Sequence, residues 1–472
     1  MTVPPSMSDA PDVLLVVLDS ARKARLTPYG HRSDTTPALA ALAGTATVYE
    51  RAHTSTPWTL PSHCSLFTGR FPSEHGVTNG FTDRNLRLPR DVPTLAERLS
   101  DAGYATAGFS NNPWVGRLSG LDRGFDEYVE WDLEIGRTTG RDVHGWRGRL
   151  YDRGHALLGQ AARTPVYLLK RRFFTNALVD RATRWLEATA DAAAPTFTFL
   201  NLMEAHSPYY PPRAAFRALG FRPPGPVEPR TMNLALLAYV LGRRDLGDRR
   251  DRLLEYYDAS LRYQDGEFAR LLATLRRLGR FDDTLVVVCA DHGKNLGEFD
   301  RGGSPPHYLR NVNTNVPLVV KRPGQRAAER DETAFELPRI FDLVLAGGVR
   351  DVVGGGVDAG REGDGAVADG NALIEDFVPH TARHAESVTR WRALVSDGHK
   401  LVTSQDGEEY LLEGTTERDV VVDGEPDVRA ALRAALADRV DRLEARRSAS
   451  EEAAEADLTA GVEAQLEDLG YL

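Results

Sequence analysis

A chain of 472 residues has room for one large α/β domain with a smaller appendage, or for two ordinary domains. Its 42% hydrophobic and 27% charged residues are the composition of a soluble globular protein, and a formal net charge of -10 argues against general nucleic-acid affinity. Only two cysteines are present, Cys64 and Cys289, both within apolar segments, so a disulfide framework is excluded and both read as core residues.

The N-terminal stretch carries no basic region, and the apolar run Val13 to Leu18 is too short for a signal peptide or a membrane span. A cytoplasmic protein is expected. That run, rich in β-branched residues and ending in Asp19-Ser20, has the pattern of a buried central strand. Asp19 then stands at the strand's carboxyl end, where open α/β sheets bind ligands, although an N-cap role also suits an aspartate there. Thr36 to Ala43 reads as a short helix, Pro93 to Ala102 as another, and Tyr104 to Phe109 as a strand closed by Ser110-Asn111-Asn112-Pro113. Asn111, at that strand end, is a candidate substrate contact, with turn chemistry as the other reading.

From about 137 to 184, arginines are interleaved with Trp146, Tyr151, Tyr167, Phe173 and Phe174. A basic, aromatic stretch of this kind can lie on anionic lipid, but a solvated helical cap over the site is the favoured reading. A second insertion spans about 223 to 250, and the two together are expected to shape the substrate mouth.

Thr196 to Met203 is the next core strand, followed by Glu204-Ala205-His206-Ser207-Pro208-Tyr209. Tyr256 to Leu278 is a long amphipathic helix, and Thr284 to Ala290 a second buried strand ending in Asp291-His292-Gly293-Lys294. A carboxylate and an imidazole at a strand end form an oxygen-plus-nitrogen donor set that suits Mn²⁺ or Zn²⁺ at least as well as Ca²⁺. Lys294 is placed to pair with substrate oxygens. His307, after Pro305-Pro306, precedes a strand beginning at Asn315; a plain turn is its other reading. Phe335 to Leu345 reads as a helix, the segment 347 to 370 with its nine glycines as a loop or linker, and Trp391 to Val402 with Glu409 to Leu412 as paired strands. The tail from Asp427 is helical and acidic.

Thr54 to Gly76, TSTPWTLPSHCSLFTGRFPSEHG, is the stretch on which the functional reading turns. Thr59 lies where a loop tips into a helix, with Leu66 and Phe67 giving that helix a buried face, and the N–H groups of a helix start favour an anionic oxygen. Taken alone, Thr59 would be an N-cap. The stretch resembles the nucleophile segment of the sulfatase family in the alkaline phosphatase superfamily, where Cys or Ser is followed by any residue, Pro, Ser and Arg, and later by Thr-Gly. Thr59-Leu60-Pro61-Ser62-His63 and Thr68-Gly69 stand at those places. Sulfatases convert the Cys or Ser to formylglycine, which a threonine cannot become, so no formylglycine is expected. His63 replaces the Arg that braces the site in the family and is a candidate substrate contact. The first strand with Asp19, the His206 segment and the Asp291-His292-Gly293 segment resemble the family in the same order, with Ser20 where sulfatases usually carry a second Asp.

The resemblance implies an α/β fold with a large, mostly parallel mixed sheet, helices on both faces and a small C-terminal α+β subdomain. The expected divisions are a catalytic domain over 10–346, a linker over 347–370 and a subdomain over 385–472. It further implies one divalent metal (Mn²⁺, Zn²⁺, Ca²⁺ or Mg²⁺) on Asp19, Asp291, His292 and Thr59, with Thr59 as nucleophile and His206 or His307 protonating the leaving group. The expected substrate is a small anionic ester. Threonine and the missing second Asp favour a phosphate or phosphonate ester; the alternatives are a sulfate ester, or phosphoryl or headgroup transfer at a membrane.

Overall fold

The computed structural model describes residues 10–78, 86–130, 174–240, 242, 245–348, 370–377 and 389–447. Ten strands belong to the first part of the chain. They are β1 (Val13–Leu18), β2 (Thr47–His53), β3 (Ala105–Ser110), β4 (Glu127–Glu130), β5 (Thr196–Leu202), β6 (Leu285–Cys289), the short pair β7 (Asn295–Leu296) and β8 (Gly302–Gly303), then β9 (Asn315–Lys321) and β10 (Glu329–Glu336). Eight of them form one sheet in the order β10-β2-β9-β6-β1-β5-β3-β4. Only β9 runs against its neighbours, antiparallel to both β2 and β6; every other pairing is parallel. Seven carboxyl ends therefore share one edge.

The continuous apolar run of β1 follows from its place, because it pairs with β5 on one side and β6 on the other and is buried throughout. Side chains alternate across it. Leu15 is in register with Phe199, whose ring meets Phe67 of α2 (Thr59–Thr68) edge-on at 4.8 Å. Leu18, three residues on, faces the other way, toward Leu261 and Phe268 of the helix Arg249–Arg277. Helices thus cover both faces: α2 with Leu95–Asp101 and Arg339–Gly348 on one, and Arg249–Arg277 with Phe174–Ala188 and Pro37–Ala43 on the other. Cys64 and Cys289 are free and buried.

The C-terminal unit is an antiparallel sheet of five strands in sequence order: β11 (Ala372–Asp376), β12 (Trp391–Ser396), β13 (His399–Ser404), β14 (Glu409–Glu413) and β15 (Val420–Val422). One face packs Leu373, Leu394, Leu401 and Leu411 against Leu432, Leu436 and Leu443 of the helix Pro426–Arg447 and against Phe71. The other packs Ile374, Ala393, Val402 and Leu412 with Leu309 and Ala334, so the sheet is packed onto the first part of the chain through both faces.

Three elements differ from expectation. The long helix begins at Arg249, seven residues early. Phe335 and Glu336 end strand β10, and the helix expected there starts at Arg339. β11 lies ahead of the expected subdomain boundary at 385 and pairs with β12. Most of the 137–184 insertion lies outside the described residues, which from it include only the helix Phe174–Ala188; the linker over 349–369 does too. The 223–250 insertion contains the helix Glu228–Val240. Among the described residues no helix is long and apolar enough to cross a membrane.

Candidate active site

The carboxyl ends of β1, β3, β5 and β6 converge where the chain leaves β1 between neighbours reached by separate crossovers, the place where open α/β sheets bind ligands. Asp19 follows β1, and Asp291-His292 follow β6. Both carboxylates and the imidazole are buried, and one ligand atom from each lies within 4.8 Å of the others. Asp19 Oδ2 accepts from Asn112 Nδ2 at 2.8 Å and Asp19 Oδ1 from the Ser20 hydroxyl at 3.0 Å. Asp291 Oδ1 accepts the amides of Ser20 (2.8 Å) and His292 (2.9 Å). Its other oxygen, Oδ2, is buried with no hydrogen-bond partner among the described residues. Among the described residues the ion pairs of Asp291 are with His63 and His292, so two fully buried carboxylates stand close together with no Lys or Arg shown paired to them, an arrangement that suits a bound cation.

His292 is prepared for the same role. Its Nδ1–H donates to the Gly293 carbonyl at 2.7 Å, which fixes the tautomer and leaves Nε2 as the electron-pair donor. Glycine is needed next to it, since a Cβ on Gly293 would come within 2.0 Å of the Val312 carbonyl oxygen. Ser20 takes a left-handed φ of 60°, a conformation costing about 1 kcal/mol for a residue with a Cβ. That turn brings its amide to Asp291 and its hydroxyl to Asp19, so Ser20 ties the ends of β1 and β6 together. Asp19, Asp291 and His292 fit a divalent cation held by two carboxylates and one imidazole, with the unpartnered Asp291 oxygen as the direct sign.

Thr59 is the first residue of α2, with Trp58 as the N-cap. Its Oγ1 lies 3.1 Å from His292 Nε2, so the hydroxyl faces the cluster instead of capping the helix. Ser62, one turn on, donates to the Asp291 carbonyl at 2.8 Å and lies 3.1 Å from Thr54 Oγ1, fastening α2 to the β6 loop. His63 is fully buried; its Nδ1 is 2.9 Å from the Thr59 carbonyl and 3.7 Å from Asp291 Oδ2. Its ring thus lies against the backbone of Thr59 and the carboxylate of Asp291.

Lys294 Nζ lies 3.5 Å from Ser207 Oγ, joining the β6 loop to the loop after β5 that carries His206. The His206 Nδ1–H donates to the Ser207 carbonyl at 2.6 Å. His307 has a φ of 59°; its amide donates to Asp376 Oδ2 at 2.8 Å, and its ring stacks on Trp391 at 5.5 Å. Of the adjacent pair Asn111-Asn112, it is Asn112 whose side chain reaches Asp19; Asn111, half-buried, makes no such contact. Sequence reasoning also passed over Asp376, which holds Trp58 and His307 together, and Ser62. The signal for Asn112 was present in SNNP, but alternation at a strand's last residue does not say which of two asparagines turns inward.

The sulfatase family model matches residues 11–344. A choline-sulfatase of Rhizobium meliloti (strain 1021) is 25% identical over 333 residues, 66% of this chain; the chain spans only 63% of that relative's length. An arylsulfatase of Klebsiella aerogenes is 24% identical over 347 residues, 67% of this chain and 73% of the relative. Among solved structures, a phosphonate monoester hydrolase of Agrobacterium radiobacter superposes with a TM-score of 0.64 at 20% identity, over 93% of this chain and 96% of the other, a likeness of fold. With the family match extending over well more than half of its length, and the carboxylate and imidazole cluster at the edge where the fold places chemistry, this chain is a member of the sulfatase family.

Proposed function

We propose that the chain hydrolyses a phosphate or phosphonate ester, with the Thr59 hydroxyl as nucleophile and a covalent Thr59 ester as intermediate. The observation that carries this reading is threonine at the head of α2, with its hydroxyl 3.1 Å from His292 Nε2. A threonine cannot be converted to the aldehyde that sulfatases use, so the unmodified hydroxyl must attack directly. The fold does not choose the substrate, because sulfatases and a phosphonate monoester hydrolase share it.

A divalent cation on Asp19, Asp291 and His292 would supply positive charge to offset the charge that builds up on the attacking and nonbridging oxygens. The chain's own residues do the rest. Asn112 and Ser20 hold Asp19, Ser20 and the His292 amide hold Asp291, and Ser62 fixes the turn that presents Thr59. Thr59 Oγ1 gives up its proton to solvent and forms a bond to phosphorus as the bond to the leaving oxygen breaks, and His206 or His307 gives that oxygen its proton. Lys294 pairs with a nonbridging oxygen. Water then attacks the Thr59 ester, losing a proton to the histidine, and the departing Thr59 oxygen takes a proton from solvent to restore the hydroxyl.

Sulfate-ester hydrolysis is the second reading, favoured by the names of the relatives, choline-sulfatase and arylsulfatase. Matched aryl phosphate, phosphonate and sulfate esters, assayed with each of the four metals beside the Thr59→Ala variant, separate the two. Thr59-dependent turnover of the phosphorus esters is expected; dominant sulfate turnover would overturn the choice of substrate.

A further inference from the structure

The C-terminal sheet meets the catalytic edge through β11. Asp376, its last residue, is fully buried. One carboxylate oxygen accepts the Trp58 indole N–H at 3.1 Å and the other accepts the His307 amide at 2.8 Å. Trp58 immediately precedes Thr59. The neighbouring Glu375 docks the same strand along the nucleophile segment: its amide donates to the Ser55 carbonyl at 2.7 Å, and its carboxylate accepts the Ser73 amide at 2.8 Å and Arg392 Nε at 3.1 Å. Glu375 and Asp376 therefore meet the chain before, at and after α2.

His307 needs such support. Its left-handed φ of 59° is uncommon for a residue with a Cβ and persists only where the surroundings impose it. Three contacts do so. Asp376 holds the amide, Trp391 of β12 lies against the ring with planes 21° apart, and Ser304, three residues earlier, donates to the Gly293 carbonyl beside His292 at 3.3 Å. The segment 304–307 is thus tied at one end to the metal-ligand loop and at the other to a carboxylate that also holds the residue before the nucleophile.

We propose that Asp376 is a positioning residue that sets the His307 ring relative to Thr59, so that the C-terminal sheet controls how well the enzyme cleaves esters whose leaving oxygen must be protonated. The idea rests on the reading of Thr59 as nucleophile and His307 as proton donor. Asp376→Asn is the informative change, since an amide keeps size and one acceptor but cannot accept from both N–H groups.

The test uses the full chain with the metal that supports turnover and a series of phosphate esters from 4-nitrophenyl, which leaves without a proton, to phenyl and alkyl. For Asp376→Asn, kcat/KM should fall by at least about tenfold on the poor leaving groups and by less than about twofold on 4-nitrophenyl, since displacing a general acid removes only its own contribution. His307→Gln should give the same leaving-group dependence, and the double variant should be no worse than His307→Gln alone. Trp58→Phe, which removes only the other arm of the bridge, should reproduce the pattern in milder form and guards against a folding defect in the Asp376 variant. A uniform loss across the series, or an additive double variant, would reduce Asp376 to a purely structural role. Thr59→Ala runs beside these: if it stays active, the reading of the nucleophile has failed, whereas an inactive Thr59→Ala with a flat Asp376→Asn response overturns only the role of Asp376.

Discussion

Asp291→Asn should stabilise the metal-free protein and destabilise the metal-loaded one. Asp19 and Asp291 are both fully buried, and a ligand atom of each lies within 4.8 Å of the other. At an effective dielectric constant of about 20, two unit charges at that separation repel by about 3.5 kcal/mol. The amide gives part of this back, because the two N–H bonds from Ser20 and His292 lose their charge-assisted character, roughly 1 kcal/mol each. A net gain of about 1–2 kcal/mol remains, or about 1–2 °C in the melting temperature, since a chain this long has an unfolding entropy of roughly 1 kcal/mol/K. Metal reverses the order. At a hundredfold excess over its Kd a cation stabilises the wild type by about 2.7 kcal/mol, and the variant, lacking one anionic ligand, loses most of that. Thermal melts at pH 8, in EDTA and then in a titration of Mn²⁺, Zn²⁺, Ca²⁺ or Mg²⁺, should therefore cross: the variant melts above the wild type without metal and below it with metal. A variant that melts lower in EDTA and is protected by metal as strongly as the wild type would refute the assignment of the carboxylate pair.

Asn112→Ala should weaken metal binding by roughly 10- to 100-fold, as loss of a ligand's hydrogen-bonded support does, while Asn111→Ala leaves it unchanged; metal titration followed by melting temperature distinguishes the two. Gly293→Ala should cost about 1–3 kcal/mol by overpacking, because its Cβ would meet the Val312 carbonyl at 2.0 Å; denaturant unfolding reads the loss, and a neutral result would mean the β6 loop is free to move. Lys400 is buried, with Nζ donating to the Leu309 carbonyl, Asn311 Oδ1 and Thr314 Oγ1, and burial pulls its pKa down to about 8. The folded state disfavours the charged amine, so the penalty is full below about 8 and disappears as pH rises toward 10.5. Wild-type stability should therefore gain on Lys400→Met between pH 8 and 10.5; equal pH dependence in the two proteins, measured by urea unfolding, would contradict that.

Much of this was legible because it is local. β1 and β6 announce themselves as apolar runs, and Asp19 and Asp291-His292 stand at their ends, so the carboxylate and imidazole cluster follows from two strand ends sharing one edge. What was not legible depends on partners far along the chain. β10 (Glu329–Glu336) is largely polar and exposed for its first five residues, and it is a strand because β2 pairs with it at the sheet's edge. β11 is five residues long after a glycine-rich stretch, and nothing in its sequence says that Asp376 will reach Trp58, 318 positions away. His63 reads as a site residue from its place in the nucleophile motif, but the motif does not say that its ring bonds back, i to i−4, to the Thr59 carbonyl. Thr59 taken alone reads as an N-cap, and its hydroxyl's contact with His292, 233 residues later, at 3.1 Å is something only the fold brings about.

The most direct measurement is a rapid quench of the enzyme during turnover of an aryl phosphate or phosphonate, followed by proteolysis and mass spectrometry of the peptide containing residues 54–76. A phosphoryl or phosphonyl adduct on Thr59 should form with the first turnover, decay as product accumulates, and be absent from an inactive Thr59→Ala. Steady turnover with no adduct and an active Thr59→Ala would contradict it.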